Sequence, residues 1–359
     1  MRVAIDAREL SGRPTGVGRY LTGLLEAWSK SDAARRHHWT LIAPSAPEGS
    51  ARWAASVEVV GGQGGTIWEQ ATLPRAVRAA RADVLFAPGY TAPLTVAAPL
   101  VLTIHDVSFF AHPEWFAFRE GVRRRLITAW SARRARTVIT DTEFSKREIR
   151  RFIGIDAGRV RTIPLGLDAR SAGGSHQDAL VLYAGSVFQR RRVDRLMAAF
   201  DLVADRVPHA RLEIVGENRT SPHLDLEALR RRCRHADRIT LRSYVDDATL
   251  ASLYERASVF AFLSEYEGFG LTPLEALAGG VPPIVLDTPV ARETCGAAAC
   301  YVAPSASNEE IAAAIARLLT SADARQDILR HRRDVLIRYD WNLAAAATLS
   351  VLEEAAGAR

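Results

Sequence analysis

Cysteine is scarce in this 359-residue chain, and the three present, Cys233, Cys295 and Cys300, show neither paired nor metal-ligand spacing. That excludes a disulfide-stapled secreted scaffold and a thiolate zinc site, and it points to a reducing compartment. No apolar run is long enough to span a bilayer, so an integral membrane protein of the helical kind is excluded too. Met1-Arg-Val-Ala-Ile-Asp enters a strand pattern at once, without a secretory leader. The expectation is a cytoplasmic protein, soluble or peripheral on the inner face of the membrane. There is no Asp-x-Asp pair to hold a divalent metal on a diphosphate, and no recognised nucleic-acid module. The reading therefore carries no metal, no cofactor and no nucleic-acid partner.

What is present is an ordinary globular composition, 48% hydrophobic and 25% charged, with length for two domains of about 150 to 180 residues each. The net charge of +6 is carried largely by arginine, which suits anionic partners such as nucleotide diphosphates, polyprenyl-phosphate lipids or a membrane surface. From Trp115 to Arg136, Trp115, Phe116, Phe118, Leu126 and Trp130 alternate with Arg119, Arg123, Arg124, Arg125, Arg133, Arg134 and Arg136. This predicts an amphipathic helix pair, either a solvated surface or a basic, aromatic-edged face for anionic lipid.

Short apolar runs recur along the chain: Val3–Ile5, Trp39–Ile42, Val57–Val60, Val84–Phe86, Val101–Ile104, Val138–Thr140 and Val160–Ile163 in the first half. Ala179–Gly185, Leu212–Gly216, Ile239–Leu241, Val259–Leu263, Pro283–Leu286 and Tyr301–Val302 follow in the second. Alternation with helical patterns predicts parallel sheets wrapped by helices. The polar, glycine-rich stretch 169–178 reads as a linker. The expected organisation is an N-terminal domain over 1–168, a C-terminal domain over 179–340 and a closing helix over 341–359 that crosses back.

Loops at the carboxyl ends of such strands carry the chemistry. Gly16 and Gly18 stand between the first strand and a helix marked by Tyr20, Leu21, Leu24, Leu25 and Trp28. The loop Gly61–Gly65 with Trp68-Glu-Gln70 reads as a hinge or an acceptor-facing entrance. His105 directly follows an apolar strand and so faces the ligand crevice. Ser186-Val-Phe-Gln-Arg190-Arg191 places guanidinium groups at a strand-to-helix mouth, where they bind phosphate bidentately. Asp246 and Asp247 read as caps of the next helix. The stretch Ser264-Glu-Tyr-Glu267-Gly268-Phe269-Gly270-Leu271-Thr272-Pro273-Leu-Glu275 runs from a buried strand into a helix. Thr272 is its expected N-cap, Pro273 its first residue, and Glu275 falls three after the cap. Its amides form an anion site, with phosphate the expected anion.

The pattern Glu-Gly-Phe-Gly-Leu-x-x-Leu-Glu-Ala, with Gly16-Val-Gly-Arg-Tyr20, Thr103-Ile-His-Asp106 and the arginine-bearing loop at Ser186, resembles the retaining GT-B glycosyltransferases of family 4. The resemblance implies an α/β fold of two Rossmann-like domains facing across a cleft. It implies that Glu267 and His105 lie near the donor sugar, that Gly268 to Leu271 hold sugar and diphosphate, and that Glu275 bonds the ribose. It further implies that Ser186, Arg190 and Arg191 neutralise the diphosphate, that Gly16 and Gly18 line the donor phosphate and acceptor, and that Tyr244 lies by the base. The family usually has proline at the position of Thr272 and lysine at that of Arg191. The expected activity is metal-independent hexosyl transfer from a nucleotide diphosphate sugar, GDP-mannose first and UDP-glucose or another donor as alternatives, to a saccharide or polyprenyl-diphosphate-linked acceptor. A nucleotide-sugar epimerase and a non-catalytic scaffold are the readings from other classes.

Overall fold

The computed structural model describes residues 1–12, 16–53, 55–168 and 179–357; the expected linker 169–178 lies outside them. The chain divides into two compact units. One takes Met1–Pro113, Phe118–Gly166 and Tyr339–Arg359, and the other Glu114–Ala117 and Leu167–Arg338.

Among the described residues the first unit holds seven strands: β1 (Arg2–Asp6), β2 (His38–Ala43), β3 (Ser56–Val59), β4 (Val84–Ala87), β5 (Leu100–Thr103), β6 (Thr137–Thr140) and β7 (Val160–Thr162). They lie in the order β3-β2-β1-β4-β5-β6-β7, and every pairing is parallel. The second unit holds β8 (Leu180–Ala184), β9 (Arg211–Val215), β10 (Ile239–Arg242), β11 (Val259–Phe262), β12 (Pro283–Leu286) and β13 (Cys300–Val302). Their order is β10-β9-β8-β11-β12-β13, again parallel throughout. Helices cover both faces of such sheets, so the central strands are apolar at every position rather than at alternate ones. Val84–Ala87, Leu100–Thr103, Leu180–Ala184, Val259–Phe262 and Pro283–Leu286 are buried at each residue.

Both sheets reverse direction beside their first strand, between β1 and β4 and between β8 and β11. At such a switch point the loops leaving two neighbouring strands diverge to opposite faces and leave a crevice at the carboxyl edge.

The helix Trp341–Gly357 packs on the helix Gly16–Lys30 within the first unit. A Cβ built on Gly23 would stand 2.4 Å from the Trp341 ring, and one on Gly166 would stand 2.4 Å from both that ring and the Trp341 backbone nitrogen. The Trp28 indole donates to the Ala345 carbonyl at 2.9 Å.

Two expectations are corrected. Trp115 to Arg136 is not a helix pair but a short 3-10 turn, Pro113–Trp115, followed by one helix, Phe118–Arg134. Trp68 does not edge an entrance: it is buried in the first core, and its indole donates to the Val60 carbonyl at 2.8 Å. Gly62, with φ 140°, presses against that ring, so the glycine loop seats the tryptophan.

Candidate active site

At the second switch point two loops meet. The loop after β8 carries Ser186, Phe188, Arg190 and Arg191, and the loop after β11 carries Ser264 to Gly270. They are tied by backbone, the Glu265 amide donating to the Arg190 carbonyl at 2.9 Å. A Cβ on Gly185, whose φ is 132°, would lie 3.7 Å from the Thr272 side chain. Sequence distance between these loops is bridged by the parallel pairing of β8 with β11.

Arg191 and Glu267 form the centre of this junction. Nε of Arg191 donates to Oε1 at 2.8 Å and Nη2 to Oε2 at 3.2 Å, while Nη1 donates to the Ser186 carbonyl at 2.8 Å. The Ser264 hydroxyl donates to Oε1 of Glu267 at 2.9 Å. Burial alone would raise the Glu267 carboxyl, but the Arg191 and Arg190 charges and the hydrogen bonds outweigh it and hold the group below the ordinary carboxylate range. Glu267 is therefore ionised at neutral pH. The Arg191 guanidinium also lies 4.9 Å over the Phe262 ring and 5.3 Å over Phe188.

Arg190 is placed differently. Its guanidinium stacks 4.5 Å over Phe188, and its Nε is buried without a hydrogen-bond partner. The Thr272 hydroxyl is in the same condition. Native proteins rarely leave buried polar atoms unmatched, so these two mark where a polar ligand would sit.

The helix after this loop starts earlier than the expected Thr272 cap. It spans Leu271–Ala278 with Gly270 as N-cap at φ 84°. Only glycine takes that left-handed conformation without strain, which fixes the break there and draws Thr272 and Pro273 into the first turn. Pro273 remains compatible, because its missing N–H would be unpaired anyway. No capping box forms, and Glu275, at the fifth helical position, instead accepts from the Tyr254 hydroxyl at 3.4 Å. A glycine cap brings no side chain to the first-turn N–H groups, so the anion-binding end expected from the sequence is uncovered.

Asp246 caps the helix Asp247–Arg256, its carboxylate accepting from the Thr249 amide, and Tyr244 just before it is 68% exposed.

In the first unit Gly16 and Gly18 open the helix that follows β1, Gly16 exposed and Gly18 buried. Gly89, after β4, admits Val17: a Cβ there would stand 2.9 Å from the valine. His105 follows β5 and is pinned at both ring nitrogens, Nδ1 to Asp141 Oδ2 at 2.8 Å and Nε2 to the Pro88 carbonyl at 3.0 Å. The Tyr20 ring meets it edge-on at 4.9 Å. A carbonyl only accepts, so Nε2 carries a proton. Burial would lower the imidazole pKa, but the Asp141 charge and hydrogen bonds prevail and raise it. Both ring nitrogens of His105 are thus engaged by partners of the first unit.

Sequence reasoning passed over a cluster at the end of β1. Arg8 bridges Asp6, at 2.8 Å, and Glu69, whose Oε1 also accepts from the Thr91 hydroxyl at 2.6 Å. Asp6 and Glu69 are each 2% exposed. Burial is the main reason that Asp6 is pushed up to about 6; Arg8 opposes it and Glu69 reinforces it. One signal was available, an aspartate closing an otherwise apolar strand.

Two sheets of Rossmann order, the second with polar loops gathered at its switch point, define a GT-B architecture. Comparison with known proteins agrees. Residues 14–171 match the Glycosyltransferase Family 4 model and residues 168–334 the model described as Glycosyl transferases group 1. The GDP-mannose:cellobiosyl-diphosphopolyprenol alpha-mannosyltransferase of Komagataeibacter xylinus is 31% identical over 260 residues, 67% of this chain and 64% of that one. The glycogen synthase of Mycobacterium tuberculosis is 28% identical over 264 residues, 70% and 62% of the two chains. The chain thus spans just under two thirds of the length of these relatives. Among solved structures, Anabaena Alr3699/HepE in complex with UDP-glucose superposes with a TM-score of 0.77 at 18% identity, over 98% of this chain and 100% of that one. The chain belongs to the family 4 glycosyltransferases.

Proposed function

We propose that this chain moves a hexose, mannose from GDP-mannose in the first instance, onto an acceptor hydroxyl in polysaccharide or glycolipid assembly, with retention and without a metal. One observation carries the reading: the Arg191–Glu267 fork leaves Arg190 Nε buried and unmatched, on the loop that touches Thr272 at the uncovered start of the Leu271–Ala278 helix. That arrangement fits a diphosphate, which offers acceptor oxygens to a guanidinium, a hydroxyl and backbone amides at once. The mannosyl donor rests on the name of the Komagataeibacter relative. UDP-glucose is the second reading, because the Anabaena neighbour was solved with it.

In this scheme the bond from the sugar's anomeric carbon to the diphosphate breaks. Charge gathers on the departing phosphate oxygen, where Arg190 and the helix-start amides stabilise it. Glu267, kept ionised by Arg191, offsets positive charge at the sugar ring. Glu275 takes the ribose hydroxyls. The departing oxygen accepts the acceptor's proton as the new bond forms on the same face, which retains configuration. His105, with both nitrogens bonded inside its own unit, has a positioning part and transfers no proton.

The test is thermal unfolding with GDP-mannose, UDP-glucose, ADP-glucose and dTDP-glucose in the presence of a chelator. A ligand at a hundred times its Kd stabilises by about 2.7 kcal/mol, which for a unit of this size is roughly 5 to 10 °C. One nucleotide sugar should give that shift, and Arg190→Ala and Glu275→Ala should lose it. No shift with any donor would overturn the assignment.

A further inference from the structure

We propose that the outer face of the helix Phe118–Arg134 is a docking surface for an anionic lipid bilayer. Within its own unit this helix is inside out. Its buried positions are small, Gly121, Thr128, Ala129, Ser131 and Ala132, whereas its large apolar residues face water: Phe118 is 81% exposed, Leu126 57% and Trp130 59%. A surface helix ordinarily does the reverse. Residues 118, 122, 126 and 130 follow one another at four-residue steps, so Phe118, Val122, Leu126 and Trp130 form one ridge about 18 Å long. The ridge widens sideways at Ile67, itself 85% exposed, because Arg123 donates to the neighbouring Thr66 hydroxyl at 2.6 Å. A contiguous exposed apolar strip marks an interaction site.

Charge identifies the occupant. From Phe118 to Arg136 there are seven arginines against one glutamate, Glu120. This segment's net +6 equals that of the whole chain, so the remainder is neutral overall. The Arg123 and Arg124 guanidinium groups share Glu120, and Arg125, Arg133 and Arg134 donate to backbone carbonyls of Phe109, Ile153 and Val96. Neutral carbonyls leave those charges uncancelled. A rim of fixed cations around an apolar ridge matches the headgroup layer of an anionic bilayer, where phosphates and acyl chains lie at adjacent depths. Tryptophan and phenylalanine favour that boundary.

Co-sedimentation of the full chain, without nucleotide, tests this independently of the donor assignment. Vesicles of phosphatidylglycerol with phosphatidylcholine should pellet the protein, and vesicles of phosphatidylcholine alone should not. Binding should fall about tenfold or more in L126E/W130E and in R119Q/R124Q, and again in 1 M salt, where screening shortens to about 3 Å. The altered side chains are exposed, so the melting midpoint should hold within about 2 °C. Equal binding to neutral vesicles, or none to anionic ones, would overturn the proposal. So would self-association of the wild type that L126E/W130E abolishes without any vesicle binding, since the ridge would then join two copies of the chain.

Discussion

Arg191 grips Glu267 through two parallel hydrogen bonds, 2.8 and 3.2 Å long, between side chains only 13% and 14% exposed. The residues are 76 positions apart in sequence and meet because β8 and β11 are neighbours. A carboxylate buried without this partner would take up a proton; with it, the charge persists. The pair is thus the means by which the loop after β11 keeps a fixed negative group beside Arg190.

Glu267→Ala should destabilise the second unit by about 3 kcal/mol or more, because it leaves the Arg191 charge buried and unpaired. Urea unfolding measures this. Arg191→Met combined with Glu267→Gln removes both charges and should recover at least half the loss. An additive or worse double variant would show that the pair does not act as a unit.

Arg190→Lys keeps the charge but loses the planar fork and the Nε donor. It also forgoes the planar stacking on Phe188, so stability should fall by no more than about 1 kcal/mol. Affinity for the nucleotide sugar, read by titration calorimetry, should drop roughly tenfold. Undiminished affinity would remove Arg190 from the phosphate site.

Asp6 gives a pH signature. Its carboxyl titrates at 3.8 when unfolded and at about 6 in the folded chain. Between those values the folded state holds more protons, so this group's contribution to stability is full below about pH 4 and is lost as pH rises through 6. The change is on the order of 2 to 3 kcal/mol. Unfolding free energies from urea titration at pH 4.5 and 7.5 should converge by about 2 kcal/mol in Asp6→Asn relative to the parent, and parallel behaviour of the two proteins would contradict the assignment.

Gly23→Ala and Gly166→Ala should differ in their repair. At Gly23 the nearest atoms to an added methyl all belong to the Trp341 ring, while at Gly166 the Trp341 backbone nitrogen is as near as the ring. Each substitution should cost about 1 to 3 kcal/mol. Trp341→Leu should restore much of the loss for Gly23→Ala and little for Gly166→Ala, as read from melting midpoints.

All thirteen strand runs could be read from the sequence; the central ones announce themselves most clearly, because both faces are covered and every position is buried. The candidate loops followed from those strand ends. What escaped depended on tertiary packing. Thr272 has the better capping chemistry, yet the left-handed Gly270 ends the preceding loop and takes the cap. Trp68 follows a glycine loop of the kind found at entrances, yet the loop folds over it. The Asp6–Arg8–Glu69 cluster joins residues 61 positions apart, and its one local sign, the aspartate closing the apolar strand β1, does not name the partners. Trp115–Arg136 carried the correct residues for an amphipathic surface, but only the position of the sheet shows which face of the helix is buried.

The helix Trp341–Gly357 belongs to the same unit as Met1–Pro113 and Phe118–Gly166, although the second unit's Leu167–Arg338 separates it from them in sequence. Gly166 and Trp341 touch across 175 positions. At ribosomal rates of 5 to 20 residues per second, roughly 10 to 35 s pass between their synthesis. Throughout that interval the surface of the Gly16–Lys30 helix that later seats Trp341 is uncovered on the nascent chain. The first unit is thus closed only after the intervening Leu167–Arg338 of the second unit has been translated.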